Sequence, residues 1–190
     1  RAGGRARGLL AGLSGLAALE AIEAEVFAAE GVLAARVPRL QRLAGDRRLQ
    51  VVVDSEVPPI EGSPALLEAI LADLVDNAAR ASPPGGAVTV RLVAGADGGA
   101  TLCIADEGAG MTPVHAAQAF EPFFTSHPGR WGLGLPMVQA AAEARGGRVA
   151  LETRVGAGTT VRVDLPAGAP ARGPARQGAE HSAGRAPPPP

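Results

Sequence analysis

The chain has 190 residues, a formal net charge of −1 and no Lys among its 18 basic residues. Without Lys, the sequence excludes a lysine-containing phosphate-binding P-loop and a Schiff-base mechanism. The balanced charge provides no broad basic surface, so nucleic acid is not an expected partner. The single Cys excludes an internal disulfide framework and favours a reduced, cytoplasmic setting.

The first residue and the apolar runs indicate whether the chain is part of a longer protein and whether it contains a membrane-spanning helix. It starts with Arg rather than Met, so we expect a fragment of a longer protein. No apolar run approaches the roughly 18 residues that a membrane-spanning helix needs. The sequence leaves open whether the parent protein is anchored in a membrane.

Composition and periodicity divide the chain into three parts. Residues 1–45 are predicted to be helical, because apolar residues recur every three or four positions from Leu9 to Val26. This stripe is typical of a core helix or of half of a dimerisation hairpin, and the sequence favours neither. Residues 46–166 alternate predicted strands and helices. Residues 167–190 are rich in Pro, Ala and Gly and are expected to form a disordered tail.

The middle part has clear element signals in chain order. Gln50–Asp54 is predicted to be a strand, and Ser63-Pro64 begins a helix that runs to about Ala81. Alternation then predicts a hairpin over residues 88–92 and 102–104, joined by a glycine-rich turn. A helix from about 134 to 145 and a final pair of strands, near 149–151 and 159–165, complete the pattern.

Residues 106–132 have little regular periodicity and are longer than most connecting loops. Four of the five aromatic residues of the chain lie in this segment, namely Phe120, Phe123, Phe124 and Trp131. A disordered linker is usually poor in aromatic residues. We therefore predict a lid that packs against the domain when it is closed.

The predicted helix over 64–81 contains the first candidate site. Asp73 and Asn77 are four residues apart and share a face, and Arg80 lies one turn beyond Asn77. Oxygen ligands of this kind suit Mg²⁺, which takes one or two protein oxygens and keeps water and phosphate for the rest. The alternative is an ordinary amphipathic helix with a solvated polar face.

Two glycine-rich segments provide the other candidates. Asp106-Glu107-Gly108-Ala109-Gly110 follows a strand, where an acidic side chain can accept a hydrogen bond from a ligand amine. Residues 129–136 open a helix, and free N–H groups at a helix start can bind an anion. Each segment alone is equally consistent with a glycine turn that binds no ligand.

The order of these motifs resembles the ATP-binding catalytic domain of bacterial sensor histidine kinases, in the GHKL superfamily. LADLVDNAARAS resembles its N box, DEGAGM its first glycine box, FEPFFTSHP its F box and GRWGLGLPMV its second glycine box. GAGTTVRVDLP resembles the closing pair of strands, and the likeness covers about residues 46–166. The resemblance implies an α/β fold, a two-layer sandwich of the Bergerat type with a mixed sheet packed on helices.

The resemblance also implies roles in binding Mg-ATP. Asn77 would coordinate Mg²⁺ that bridges the phosphates, and Asp106 would accept a hydrogen bond from the adenine amino group. Asp73 falls where ATP-hydrolysing relatives carry a Glu that activates water, which implies an ancillary polar or base role. The remaining implied nucleotide contacts are Arg80, Gly108, Gly110, Arg130, Gly132, Leu133, Gly134 and Thr159.

The implied activity is transfer of the γ-phosphate of ATP to a histidine in a two-component system. Implied partners are a phosphoacceptor-His hairpin, a response regulator and a second copy through the parent protein. The chain has only His115, His127 and His181, none of them on the N-terminal helical segment, so we expect the acceptor elsewhere. The alternatives are an anti-sigma-type serine kinase and a nucleotide-binding or dimerisation module without turnover.

Overall fold

In the computed structural model, residues 23–125 and 130–168 are described. The helices are α1 (Ala29–Ala44), α2 (Pro64–Ala81), α3 (Pro113–Gln118) and α4 (Gly134–Glu143). The strands are β1 (Glu25–Phe27), β2 (Arg48–Val53), β3 (Ile60–Gly62), β4 (Ala87–Ala94), β5 (Ala100–Asp106), β6 (Arg148–Thr153) and β7 (Thr159–Leu165).

Five of these strands form a mixed sheet in the order β2-β4-β5-β7-β6. The β2–β4 pair is parallel, and the other neighbours are antiparallel. The alternation that predicts the β4–β5 hairpin is present, since Val88, Val90 and Leu92 are buried while Arg91 is exposed. One face of the sheet therefore carries the core, and helices α1, α2 and α4 pack there.

Helix α2 occupies the centre of the helical layer. Its buried residues include Leu67, Ile70, Leu74 and Ala78, which recur at helical spacing and contact the core. Pro64 stands in the first turn, as predicted, but the Ser63 side chain makes no capping hydrogen bond. The polar edge of α2 beside this buried stripe faces the candidate site.

The predicted N-terminal helical segment differs from the structure. Residues 1–22 of this segment lie outside the described residues. Val26 belongs to a strand, because β1 pairs with β3 and Val26 lies opposite Glu61 in that pair. The helix begins only at Ala29. Leu33 and Leu40 of α1 join the same core as α2, so this helix is part of the domain body.

Two smaller differences concern predicted loops. The irregular stretch after β5 contains a short helix, α3, whose cap residue Thr112 accepts a hydrogen bond from the His115 N–H. Ala167 and Gly168, the first residues of the predicted tail, contact the β3 region through a bridge to Ile60 and a bond to the Pro59 carbonyl. None of the described helices is long and apolar enough to cross a membrane.

Candidate nucleotide-binding site

A cavity of about 390 Å³ lies between α2, the ends of β5 and β7, and the start of α4. The sheet contributes the Asp106 carboxylate to the cavity wall, and we call this part the sheet end; α2 contributes the Asn77 amide, and we call that part the α2 end. The sequence-predicted site residues that line it are Asp73, Asn77, Arg80, Asp106, Gly110, Arg130, Gly132, Leu133, Gly134 and Thr159. Gly108 is the predicted site residue that does not line the cavity.

Asp106 is the last residue of β5, and the backbone around it holds its carboxylate. Its Oδ1 accepts hydrogen bonds from the Gly108 N–H at 2.8 Å and from the Thr159 N–H at 3.1 Å. Burial raises the pKa of Asp106, and these two hydrogen bonds oppose that rise. Both bonds use Oδ1, and no bond to Oδ2 is found within residues 23–125 and 130–168, so Oδ2 can accept from a ligand.

The glycines near Asp106 are needed for close backbone contacts. A Cβ on Gly158 would lie 1.9 Å from the Asp106 carbonyl oxygen, and one on Gly110 would lie 2.0 Å from the Arg154 carbonyl oxygen. Gly108 is similar, because its Cβ would approach the Ala81 carbonyl oxygen to 2.4 Å. These glycines let the loop after β5 pack on α2 and on the β6–β7 turn. The resemblance implied Gly108 and Gly110 only as nucleotide contacts.

Asp73 and Asn77 lie one turn apart on α2 and both line the cavity, at the α2 end. Burial raises the pKa of Asp73, and the nearby positive charge of Arg130 opposes that rise. The Asn77 amide lies against the start of α4, since a Cβ on Gly134 would be 3.3 Å from its Nδ2. The N-cap residue of α4, Leu133, provides no side-chain cap to the first N–H groups of that helix.

Asp76 forms ion pairs with two of the implied nucleotide contacts, Arg80 and Arg130. Asp76 itself was not among the predicted site residues. Its Oδ1 accepts from Arg80 Nε at 3.1 Å, and its Oδ2 pairs with Arg130 Nη2. The spacing of four residues between Asp76 and Arg80 could have indicated the first pair. The second pair joins residues 54 positions apart (130 minus 76), and no local signal marks it.

The donor set at this end suits Mg²⁺. Among the described residues, no group of three or more His, Cys, Asp and Glu is placed to hold a metal. Mg²⁺ does not need such a group, because it is commonly held by one or two protein oxygens together with phosphate and water. The Asn77 amide oxygen and the Asp73 carboxylate are two oxygen-bearing groups on one helix edge, so they fit this mode of binding.

The predicted lid residues lie around the same cavity. Phe124 and Trp131 line it, and the Phe124 ring meets the His115 ring edge-on at a centroid distance of 5.7 Å. Phe123 has a left-handed backbone, with φ of 69°, and its N–H donates to the Gly132 carbonyl oxygen at 3.0 Å. Neither His115 nor Met111, which also lines the cavity, was predicted as a site residue. His127 and Gly129 lie outside the described residues.

The fold and the matching family together define an ATP-binding domain of the α/β class. Residues 62–169 match the family described as histidine kinase-, DNA gyrase B- and HSP90-like ATPase, and the chain belongs to this family. It is 35% identical over 159 residues to the histidine protein kinase DivJ of Caulobacter vibrioides, covering 76% of this chain. That match spans only 26% of DivJ, so the chain corresponds to about a quarter of this relative.

Solved structures agree with the sequence matches. The mycobacterial sensor histidine kinase MprB superimposes with a TM-score of 0.63 and 33% identity, covering 76% of this chain and 96% of that one. Full-length ShkA, solved in complex with AMPPNP, gives a TM-score of 0.72 and 27% identity over 84% of this chain and 35% of ShkA. The predicted family and fold class, a mixed sheet packed on helices, are therefore confirmed.

Proposed function

We propose that this chain is the catalytic domain of a sensor histidine kinase, which binds Mg-ATP and donates the γ-phosphate to a histidine. The observation that carries the proposal is the position of Asp106 and Asn77 in one cavity, with the carboxylate at the sheet end and the amide on α2. The family match and the histidine kinase relatives support it.

The sheet end of the cavity suits adenine. Asp106 Oδ2 would accept a hydrogen bond from the adenine amino group, and the apolar side chains of Ile104, Leu151 and Val161 would face the ring. A hydrogen bond to a charged group contributes about 1.5–3 kcal/mol. Guanine would present a carbonyl oxygen to the same carboxylate, and two acceptors repel each other.

The α2 end suits the phosphates. Asn77, with Asp73 as an ancillary group, would hold Mg²⁺, and the ion would neutralise charge on the β- and γ-phosphates. Arg80 and Arg130 line the cavity, and both are partly exposed, so phosphate oxygens can replace their present partner Asp76. The uncapped N–H groups at the start of α4 are a further anion site.

Phosphoryl transfer requires mainly alignment and charge neutralisation, so few reactive side chains are needed. The bond between Pγ and the β–γ bridging oxygen breaks, a bond from Pγ to an imidazole nitrogen forms, and ADP leaves. The imidazole proton needs an acceptor, and we assign this role to the Asp73 carboxylate, which lines the cavity on α2. We place the acceptor histidine on a separate helical hairpin, with a response regulator and a second copy of the parent protein as further partners.

Two variants test the nucleotide site. Asn77→Ala should abolish the Mg²⁺-dependent part of ATP binding, and Asp106→Asn should weaken ATP while affecting GTP much less. Isothermal titration calorimetry with and without Mg²⁺ measures both effects. Thr89→Val, on the exposed face of β4, is the matched control and should bind like the wild type. Undiminished ATP binding in both site variants would contradict the assignment.

A second experiment tests the transfer step. The chain is incubated with γ-labelled Mg-ATP and a separately prepared histidine-bearing hairpin of a related kinase. Labelled hairpin that loses its phosphate in acid and keeps it in alkali indicates phosphohistidine. Acid-stable label would favour the serine kinase alternative, and binding without transfer to any hairpin would favour a nucleotide-binding module.

A further inference from the structure

Thr153, the last residue of β6, connects two parts of the cavity wall although it does not itself line the cavity. Its Oγ1 accepts a hydrogen bond from the Met111 N–H at 2.9 Å. The same oxygen lies 3.0 Å from the Gly158 carbonyl oxygen and 3.0 Å from Thr159 Oγ1. Met111 and Thr159 both line the cavity, so Thr153 contacts it only through them.

The sheet register brings Thr153 into line with Asp106. Asp106 on β5 is paired with Thr159 on β7, and Thr159 is paired in turn with Thr153 on β6. The Thr159 N–H donates to Asp106 Oδ1, while its hydroxyl contacts Thr153. A continuous series of hydrogen bonds therefore runs across three strands, from Thr153 to the carboxylate at the sheet end.

The donors and acceptors in this series have one arrangement that satisfies every group. A hydroxyl has one proton and two lone pairs. If the Thr153 hydroxyl donates to the Gly158 carbonyl, its lone pairs can accept from the Met111 N–H and from the Thr159 hydroxyl. The Thr159 proton is then used, and Thr159 Oγ1 can only accept. In the other arrangement, where Thr153 donates to Thr159, the buried Gly158 carbonyl loses this donor.

We propose that Thr153 is a positioning residue that makes Thr159 an acceptor and so adds to the preference for adenine over guanine that the Asp106 carboxylate provides. The inference rests on the proposed function, in that it assumes an adenine nucleotide in this cavity. With Thr159 Oγ1 beside Asp106, the sheet end presents two acceptors. An amino group, directly or through a bridging water, satisfies acceptors, whereas the guanine carbonyl oxygen does not.

Removing the Thr153 hydroxyl has three consequences. The Met111 N–H loses its acceptor, the Gly158 carbonyl loses a donor, and the Thr159 hydroxyl is released to donate into the cavity. A donor at this position no longer discriminates against a carbonyl oxygen. The loss of binding affinity therefore falls mainly on ATP, and the ratio of ATP affinity to GTP affinity decreases.

The test compares Thr153→Val with Thr153→Ser, using calorimetric dissociation constants for Mg-ATP and Mg-GTP. Thr153→Val keeps the shape of the side chain and should weaken ATP binding about three- to tenfold. This range corresponds to the free energy of one net hydrogen bond. GTP should change little. Thr153→Ser keeps the hydroxyl and should stay within about twofold of the wild type for both nucleotides. Thr160→Val makes the same replacement at the next residue of β7, which faces away from the cavity, and serves as the control.

The outcomes separate the two claims. If Thr153→Val leaves the ratio of ATP affinity to GTP affinity unchanged, whether by no loss or by equal losses for both nucleotides, the positioning role is overturned. Failure of the wild type to bind ATP would instead contradict the proposed function itself. If Thr153→Val does not fold, Thr153→Ala removes the same hydroxyl and is compared with Ser in its place.

Discussion

The two ends of the cavity are built in different ways. At the sheet end, Asp106 is held by backbone N–H groups from its own loop and from the neighbouring strand. At the α2 end, Arg80 and Arg130 are held by one carboxylate, Asp76, and their side chains are 53% and 35% exposed. Partly exposed ion pairs contribute only about 0–1 kcal/mol, so this end can exchange partners at low cost. The sheet end is expected to keep its geometry when nucleotide binds, and the α2 end to rearrange.

The largest effect should come from crowding the sheet end. Gly158→Ala places a Cβ 1.9 Å from the Asp106 carbonyl oxygen, at a residue whose φ is 77°. We expect a loss of about 3 kcal/mol in the free energy of unfolding, from the left-handed backbone together with the steric conflict. Urea unfolding followed by circular dichroism measures it.

Gly156→Ala is the matched control for this substitution. Gly156 also has a φ of 77°, but nothing lies within 4 Å of its would-be Cβ. Gly156→Ala should lose only about 1–2 kcal/mol in the free energy of unfolding, which is the cost of a left-handed backbone at a residue with a side chain. Equal losses at the two positions would show that the contact between the β6–β7 turn and β5 is not close in solution.

The next largest effect is expected from Asp106→Asn at the sheet end, where nucleotide binding and protein stability should change in opposite directions. Asp106→Asn should weaken ATP about tenfold or more, since a charged acceptor is replaced by an amide. Because burial raises the pKa of Asp106, ionisation is more costly in the folded than in the unfolded state. That cost is absent below the ordinary pKa of 3.8 and becomes complete as the pH rises through the folded pKa. The variant should therefore be more stable than the wild type at pH 7.

The pH dependence provides the check. The stability difference between Asp106→Asn and the wild type, measured by thermal unfolding, should shrink as the pH is lowered from about 7 toward about 4. Glu107→Gln at the adjacent residue, whose carboxylate accepts from the Ala87 N–H, is the comparison variant. A variant that is less stable than the wild type at pH 7, and that approaches the wild type as the pH falls, would mean that the folded state lowers the pKa of Asp106 instead of raising it.

How much the sequence predicts also differs between local and distant features. Helix α2 and the β4–β5 hairpin follow from local periodicity, and their bounds agree with the prediction to within a few residues. The β1–β3 pair was missed because three-residue strands carry too little pattern, and their pairing joins residues 25–27 to residues 60–62. The helical periodicity that ended at Val26 was therefore misleading at its last position.

The site shows the same division. Spacing along α2 predicts that Asp73 and Asn77 share a face, and both line the cavity. The role of the glycines as backbone contacts was missed, since it depends on turns that meet only in the folded sheet. Thr153 and the Asp76–Arg130 pair were missed for the same reason. Residue type, spacing and the family resemblance therefore indicated much of the cavity lining, whereas the supporting contacts required the fold.

A smaller effect is expected from the shared carboxylate at the α2 end. Asp76→Asn removes a negative charge beside the expected phosphates and releases Arg80 and Arg130 from it. We expect ATP to bind about two- to fivefold more tightly at low ionic strength, with little change in stability. The gain should decline as salt is added, because these groups are partly exposed.

Glu143→Gln, at the far end of α4 from the cavity, is the control for this charge change. It should leave ATP affinity unchanged, as measured by calorimetry at two salt concentrations. Weaker ATP binding in Asp76→Asn would show the opposite role, namely that the carboxylate orients the two arginines for phosphate.

The smallest effect is a change in the fluorescence of Trp131. This residue is the only Trp in the chain, it lines the cavity, and it is 49% exposed. If the segment around Arg130–Gly134 closes on bound nucleotide, the indole loses contact with water and its emission should shift to shorter wavelength. Titration with Mg-ATP should produce the shift in the wild type, and Asn77→Ala should reduce it. An unchanged spectrum at saturating Mg-ATP would mean that the α2 end does not rearrange around the phosphates, which would remove the expected difference between the two ends.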